Sequence, residues 1–600
     1  MNKEKKSAVR FFAICAAILL VCTFFIWGLQ TDYGKVKITR LTLTGPNGTD
    51  ISTLMYRPNN ATDENPAPLA VILHGRSNHA HSNDTWSMEL ARRGFVVISP
   101  DLQGGGESDP SVERILQAIE VTKYANTLSF VEKDKINLIG YSQGTNTVIN
   151  TYKAVADKVN SICEVFGPFM MKMSLEGDME ANGINTNFCL IKSLADQYDY
   201  FFVGDPAANL EFVKEFSGIK DLEINKDFDR NGFKFRYSQF GGTLHQTGNI
   251  SGQTIKEIIS YETSVNDAPV KLDVNDINFL PHQIFSGIAC VAMMFMLAAL
   301  INLLMQNEFF ATIATPVYEK GVRNTAKDWV IDILFRVGIP AVLFVPVSAY
   351  AMVWFGPGTP ALNIFRSTNL NGIMAWLFVV MFIGLGRLYL RNKKRKDVDL
   401  SDYALDAAGV KKIDWSKPAK ALLMGVIILV FVFTWLWLIE GFLGINYQIW
   451  SLSTYLRMSP LRITRSIPYA LLIFLFMFTG NMAITKAPSS GNEKKDMAIA
   501  IALNVILTAG ALVILLLIQY GGSMIVGTGE TFIPQIDIYG TGKNTSCGAL
   551  DFAFGYAYMM GGTTGVVTYI FRKYGNIWAG VIPAALFAGF VTLSGFTLSM

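Results

Sequence analysis

Nine runs of predominantly apolar residues, each about long enough to cross a bilayer as a helix, constrain what this 600-residue chain can fold into. One covers 11–29. The other eight follow Pro281, at 284–305, 337–355, 373–390, 421–439, 467–484, 497–518, 552–570 and 577–598. Backbone polar groups in hydrocarbon must be satisfied within each segment, so such runs predict helices. The expectation is an all-α polytopic transmembrane helical domain of about eight helices over 284–600, preceded by a single span at 11–29.

Flanking charges give the spans a direction. Lys3, Lys5, Lys6 and Arg10 precede the first run, so 1–10 reads as a basic cytoplasmic N-terminus. Ile26-Trp27-Gly28-Leu29-Gln30 ends that run without a small-residue cleavage site, so 11–29 reads as an uncleaved signal anchor. The basic clusters Lys320/Arg323/Lys327, Arg391 to Lys396 with Lys411 and Lys412, Lys486/Lys494/Lys495, and Arg572/Lys573 fall on every second loop. The loops between them carry only Arg366, then Arg457, Arg462 and Arg465, then Lys543. The positive-inside rule therefore predicts nine spans with the C-terminus external, in a multi-pass integral protein of the plasma membrane. Ionisable residues within the runs are scarce. Arg387 can snorkel from a cytoplasmic helix end, and Glu440 reads as interfacial. No histidine follows His282, and Gly561-Gly562-Thr563-Thr564-Gly565 reads as a helix-packing seam rather than a transport pathway.

The net charge of +3 gives no footing for a nucleic-acid partner. Six cysteines are scattered without a C-x-x-C, which excludes a recognisable zinc or redox motif. Cys163 and Cys189 read as buried free thiols, with pairing possible only if their strands are neighbours.

The polar interval 34–280 alternates strands with helices. Residues 35–42 and 51–56 alternate as half-exposed strands, whereas 69–73 and 95–99 are continuous apolar runs, as buried parallel strands are. Helical stretches are predicted at 85–93 and 112–130. This alternation argues for α/β architecture, a doubly wound mostly parallel sheet in one extracytoplasmic domain.

Within that domain, Ile136, Leu138 and Ile139 form a buried strand that leads straight into Gly140-Tyr141-Ser142-Gln143-Gly144. Residues 145–156 then read as a helix. Strand, G-x-S-x-G, helix is the context of a nucleophile elbow, whose glycines give room to a strained serine. A serine hydroxyl needs a base oriented by a carboxylate, and in this arrangement the partners follow in the order Ser, Asp or Glu, His. Of five histidines, His74, His79 and His81 precede Ser142 and His282 sits at the membrane boundary, which leaves His245. The acid should end a strand between Ser142 and His245. Asp196, after the strand-like 188–192, is preferred, with Asp199 and Asp205 as alternatives. Oxyanion donors are expected from the backbone N–H groups of Gln143 and Arg76. His74 then reads as structural. His79-Ala80-His81 lacks the partners of a metal site.

Three ordered motifs make 34–266 resemble an α/β-hydrolase. His74-Gly75 resembles the family's H-G-x oxyanion loop. Pro100-Asp101-Leu102-Gln103-Gly104-Gly105-Gly106-Glu107-Ser108 resembles its P-D-x-R-G-x-G-x-S segment, with Gln103 in place of the arginine. Residues 134–144 resemble the nucleophile strand of the dienelactone-hydrolase, prolyl-oligopeptidase-like and serine-aminopeptidase-like branches. The resemblance implies cleavage of an ester, thioester or amide through an acyl-enzyme, without metal or organic cofactor. The expected partner is a small-molecule or lipid acyl substrate, met at the membrane bilayer. Irregular stretches at 168–177 and 201–231 are expected to form a substrate-covering cap. The competing reading is a transporter or sensor whose hydrolase-like domain only binds.

Overall fold

The buried run that ends at Tyr141 lies at the centre of a nine-stranded sheet in the computed structural model. The structure describes residues 3–316, 326–356, 358–449, 453–484, 490–534, 536–537 and 549–598. The strands are β1 (Val36–Thr44), β2 (Asp50–Pro58), β3 (Ala67–Leu73), β4 (Val96–Pro100), β5 (Val131–Tyr141), β6 (Val159–Val165), β7 (Asn187–Ser193), β8 (Asp227–Arg230) and β9 (Phe233–Phe240). Their order is β1-β2-β4-β3-β5-β6-β7-β9-β8. From β4 through β3, β5, β6 and β7 to β9 the strands are parallel, and the pairs β1–β2, β2–β4 and β8–β9 are antiparallel. This is the doubly wound, mostly parallel sheet that the alternation predicts.

Every residue of β3 and β4 is buried, as strands covered by helices on both faces must be. The two-residue period sends Leu69, Val71 and Leu73 to one apolar core and Ala70 and Ile72 to the other. Each fully buried aliphatic side chain contributes about 1.5–3 kcal/mol, so the central strands are fixed firmly enough to carry a strained turn at their ends.

Two local expectations change. The helix expected over 112–130 spans only Arg114–Ala125, because Val131 is already needed to pair with Ala67 of β3. The stretch 201–231 is not a cap. Its helix Pro206–Ser217 buries Val213 and Phe216 in the sheet core, and β8 closes the sheet edge against β9. Of the expected cap, Pro168–Ser174 and Phe202, at the end of the helix Gln197–Phe202, remain beside the elbow. Cys163 and Cys189 face each other across β6 and β7 as buried free thiols; Cys547 lies outside the described residues.

Among the described residues, seven helices are long and apolar enough to cross a membrane: Lys3–Gln30, Phe279–Leu304, Trp329–Trp354, Thr368–Asn392, Ser416–Leu443, Pro460–Met482 and Glu493–Val526. The sequence suggested nine. The other two, Ala553–Tyr574 and the 17-residue Trp578–Ser594, still link the two ends of the bundle. At one end Asp551 meets Gln197 and Leu598 meets Gly104. At the other, Thr315 bonds the Tyr574 carbonyl and Trp578 bonds that of Leu405. Both helices are largely enclosed by their neighbours, so neither needs a lipid-compatible surface along its length. Gly562 abuts Met294, and Gly561 faces Val505 and Ala509, which makes the glycine run a packing seam.

Lys573, bonded to Asn302, lies at the bundle end remote from the sheet domain. Lys320, Arg323, Lys486 and Lys543 lie outside the described residues.

Glu440 departs from the interfacial expectation. Its side chain is 2% exposed, with Oε1 at 2.7 Å from the Arg40 guanidinium, 3.2 Å from Arg457 Nε and 3.4 Å from His81 Nε2. Arg40 also pairs with Asp101 at 3.0 Å. A buried carboxylate is tolerated only when it is paired, and two of the partners, Arg40 and His81, come from β1 and from the 80–83 turn of the sheet domain. Burial alone would lower the His81 pKa, but Asp84 and Glu440 outweigh it and push it up to about 9.

Candidate active site

Between β5 and the helix Gln143–Val155, Ser142 alone makes the turn, at φ 54° and ψ −119°. A non-glycine residue at positive φ is strained and persists only where its surroundings hold it. Ser142 N donates to Val165 O at 2.9 Å, and Thr145 returns both its amide (2.9 Å) and its hydroxyl (2.6 Å) to Ser142 O. The glycines are steric necessities. A Cβ on Gly140 would lie 2.7 Å from Gly144 O, and one on Gly144 would overlap the Leu73 carbonyl.

His245 opens the turn His245–Ile250, in the connection that follows β9. The Tyr141 hydroxyl donates to its carbonyl oxygen. Its Nε2 is 2.9 Å from Ser142 Oγ, and its Nδ1 is 2.8 Å from Asp196 Oδ2. These partners assign the proton to Nδ1 and leave Nε2 as acceptor of the serine hydroxyl. Asp196 is the N-cap of Gln197–Phe202, its Oδ1 accepting the amides of Tyr198 (2.9 Å) and Asp199 (3.4 Å). The structure thus brings Ser142, His245 and Asp196 together, all buried. It sends the two alternative acids elsewhere. Asp199 accepts the Phe169 amide at 2.8 Å and faces Lys192, and Asp205 caps the helix Pro206–Ser217.

Rings of Tyr198, Tyr141, Phe169 and Phe166 enclose the imidazole, with centroids 4.6, 5.6, 5.6 and 5.8 Å away. Burial by itself lowers the His245 pKa. The Asp196 charge and hydrogen bond, with Asp199 and Asp551 beyond, outweigh it and leave it raised above the ordinary imidazole value. Burial, reinforced by the neighbouring Asp196, pushes Asp199 up to about 7.

The expected oxyanion loop lies against the elbow, where a Cβ on Gly75 would be 3.2 Å from Ser142 Cβ. Arg76 and Gln143 both line the cavity that contains Ser142 and His245. His74 is structural. Its Nε2 accepts the Leu102 amide at 2.8 Å and its Nδ1 bonds Gly75 O. Burial, with the Arg114 charge beside it, lowers its pKa to about 3, so it stays neutral. Among the described residues, no group of three or more His, Cys, Asp or Glu is arranged to hold a metal.

Sequence reasoning missed three participants. Arg114 ties the elbow to the oxyanion loop, donating to Gln143 Oε1 (2.6 Å), Thr147 Oγ1 (2.9 Å) and the His74 carbonyl. It lies outside every motif. Tyr141 is one of the two variable positions of G-x-S-x-G, where residue type carries no signal. Asp551, from the membrane half, accepts Gln197 Nε2 (2.6 Å), Gln246 Nε2 (3.1 Å) and the hydroxyls of Tyr198 and Tyr520. Nothing local to Asp551 connects it with residues more than three hundred positions earlier.

Residues 68–169 match the family model described as alpha/beta hydrolase fold. The N-terminal domain is an α/β-hydrolase fold. The matched stretch contains Ser142 but ends before Asp196 and His245. Among solved structures, the chain is similar to Est1E from Butyrivibrio proteoclasticus with bound ferulic acid (15% identity, 37% of this chain and 99% of that one, TM-score 0.28). It is also similar to a Pyrobaculum calidifontis esterase (15% identity, 44% and 94%, TM-score 0.30) and to a bacterial heroin esterase (14% identity, 45% and 98%, TM-score 0.30). No curated protein matches the chain. The α/β-hydrolase domain is thus fused to a domain of apolar helices compatible with a multi-pass membrane protein.

Proposed function

We propose that this protein is a membrane-anchored serine hydrolase that cleaves an ester, thioester or amide through an acyl-enzyme, on lipid or cell-envelope-associated substrates. The reading rests above all on one observation, the continuous chain Ser142 Oγ–His245 Nε2 at 2.9 Å and His245 Nδ1–Asp196 Oδ2 at 2.8 Å. His245 takes the Ser142 proton as Oγ attacks the substrate carbonyl, and Asp196 stabilises the imidazolium. The Gln143 and Arg76 amides hold the oxyanion, each such donor being worth about 3–4 kcal/mol of barrier. His245 returns the proton to the leaving group. Water, activated by the same base, then splits the acyl-serine ester and regenerates Ser142.

The strained serine and its enclosed imidazole support an enzyme over a binding-only domain, for which neither feature is needed. The hydrolase domain faces the extracytoplasmic side, and the basic ends of the helices face the cytoplasm. The remote position of Lys573 supports this orientation. The test is labelling of the purified full-length protein by a fluorophosphonate. Labelling that Ser142→Ala and His245→Ala both abolish is the expected result. A folded wild-type protein that stays unlabelled would overturn the proposal.

A further inference from the structure

We infer that the membrane half is the acyl-chain receptor of the active site: the substrate carries a medium or long aliphatic acyl chain, which lies between Ser142 and the helices Ala553–Tyr574 and Trp578–Ser594. This inference rests on the serine-hydrolase reading and adds the substrate class to it.

The cavity at Ser142 has a volume of about 320 Å³, and both domains wall it. On the hydrolase side, beyond Ser142 and His245, stand Phe169, Met170, Met173 and Phe202. On the membrane side, Phe552, Gly555, Tyr556 and Met559 line it. That spacing of i, i+3, i+4, i+7 is one face of a helix over two turns. At 1.5 Å per residue, the apolar stripe runs about 10 Å from the catalytic face into the bundle. Val591 lines the cavity from the neighbouring helix, and Gly595 and Phe596 from the segment just after its end. Gly555 and Gly595 present no side chain to the space.

Packed helices rarely leave a void much larger than a water molecule, and water gains little in a void without polar partners. A void of this size, apolar and continuous with a nucleophilic serine, is shaped for hydrocarbon. Its volume is at the small end of ligand pockets, suited to one chain rather than to a polymer. Polar groups stand at the catalytic end, where Asp551 binds Gln197 and Gln246, and Ser453, Thr454 and Thr592 add hydroxyl groups to a membrane-side wall that is otherwise mostly apolar. A carbonyl held at Ser142 would therefore send its alkyl tail down the stripe. The scissile bond joins that acyl carbon to the leaving heteroatom. The acyl group passes to Ser142 Oγ, the leaving group departs with the His245 proton, and water later releases the fatty acid.

The test uses full-length protein in nanodiscs, p-nitrophenyl esters from acetyl to dodecanoyl, and a short-chain fluorophosphonate that reports whether Ser142 is activated in each variant. In wild type, kcat/KM should climb by up to about fourfold per added methylene until the cavity fills, which is what burying one CH2 is worth. Val591→Phe should lower the dodecanoyl-to-acetyl ratio at least tenfold. Met559→Ala, which enlarges the cavity, should move the optimum to longer chains and keeps the inference testable if Val591→Phe misfolds. Dodecanoyl phospholipid in the disc and a water-soluble dodecanoyl thioester, compared with their acetyl analogues, tell which carrier delivers the chain. A labelled enzyme with a flat chain-length profile, or one that neither variant shifts, overturns the inference while leaving the serine-hydrolase reading intact. Failure of labelling together with all ester turnover is instead the failure of that reading.

Discussion

Replacing Asp196 by Asn probes the proposed triad sharply, because the structure dictates how the new amide would lie. Asp196 Oδ1 accepts two backbone amides, those of Tyr198 and Asp199. Only a carbonyl oxygen can accept there, so the NH2 group must take the Oδ2 position, 2.8 Å from His245 Nδ1. It then donates to Nδ1, and the ring proton is left on Nε2. An N–H now points at Ser142 Oγ across 2.9 Å, where the mechanism needs a lone pair. The enclosing rings of Tyr141, Phe166, Phe169 and Tyr198 oppose a flip of the imidazole. A triad histidine held in the wrong tautomer costs about 10⁴-fold in kcat, or about 5.5 kcal/mol of barrier. The assay is the fluorophosphonate labelling rate beside kcat/KM for a p-nitrophenyl ester, with circular dichroism to verify the fold. Asp199→Asn is the contrast. Its amide can still accept from Phe169 N, so the loss should stay under about tenfold, the worth of one re-made hydrogen bond. An Asp196→Asn protein that keeps more than roughly a tenth of the wild-type rate, a loss below about 1.4 kcal/mol, would refute the tautomer argument.

The other expectations concern charge. His245 is held above the ordinary imidazole value, and its neutral form is the working base. Labelling should therefore rise with pH through a midpoint above ~6.5, and a midpoint at or below that value contradicts the electrostatics described here. Asp551→Asn removes one of the carboxylates that favour the imidazolium and should move the midpoint down. Glu440→Ala leaves Arg40, His81 and Arg457 without their shared carboxylate. The docking of the two domains should weaken by about 3 kcal/mol, the low end for a broken buried pair, because Arg40 retains Asp101 at 3.0 Å. Amide hydrogen exchange across 80–84 in detergent reads this out, and unchanged exchange would count against a structural role for the cluster.

Much of the architecture was legible in sequence, because periodicity and turn chemistry are local. The continuous runs at 69–73 and 95–99 identify buried parallel strands wherever the chain lies. The glycines around Ser142 reveal the elbow because only glycine fits so close to Leu73 and Val148. Chain order and elimination pointed to His245. The choice between Asp196 and Asp199 was different. Both follow the same strand within one turn of helix, and which of them meets the imidazole depends on how that turn is aimed. The extent of the cap also escaped, since 201–231 reads as irregular in sequence but its helix Pro206–Ser217 finds an apolar sheet core to join.

What the sequence by itself determined is therefore an α/β-hydrolase domain with an elbow serine, set among helices of bilayer length. Only the tertiary structure decided what those helices do beside it. It seats Glu440 among Arg40, Arg457 and His81, turns Asp551 toward Tyr198, and makes Phe552, Met559 and Val591 a wall of the catalytic cavity. The physical reason is range. A hydrophobic run specifies that a helix forms, but not which of its faces meets which neighbour. That is settled by the packing of residues hundreds of positions apart, and no local pattern records it.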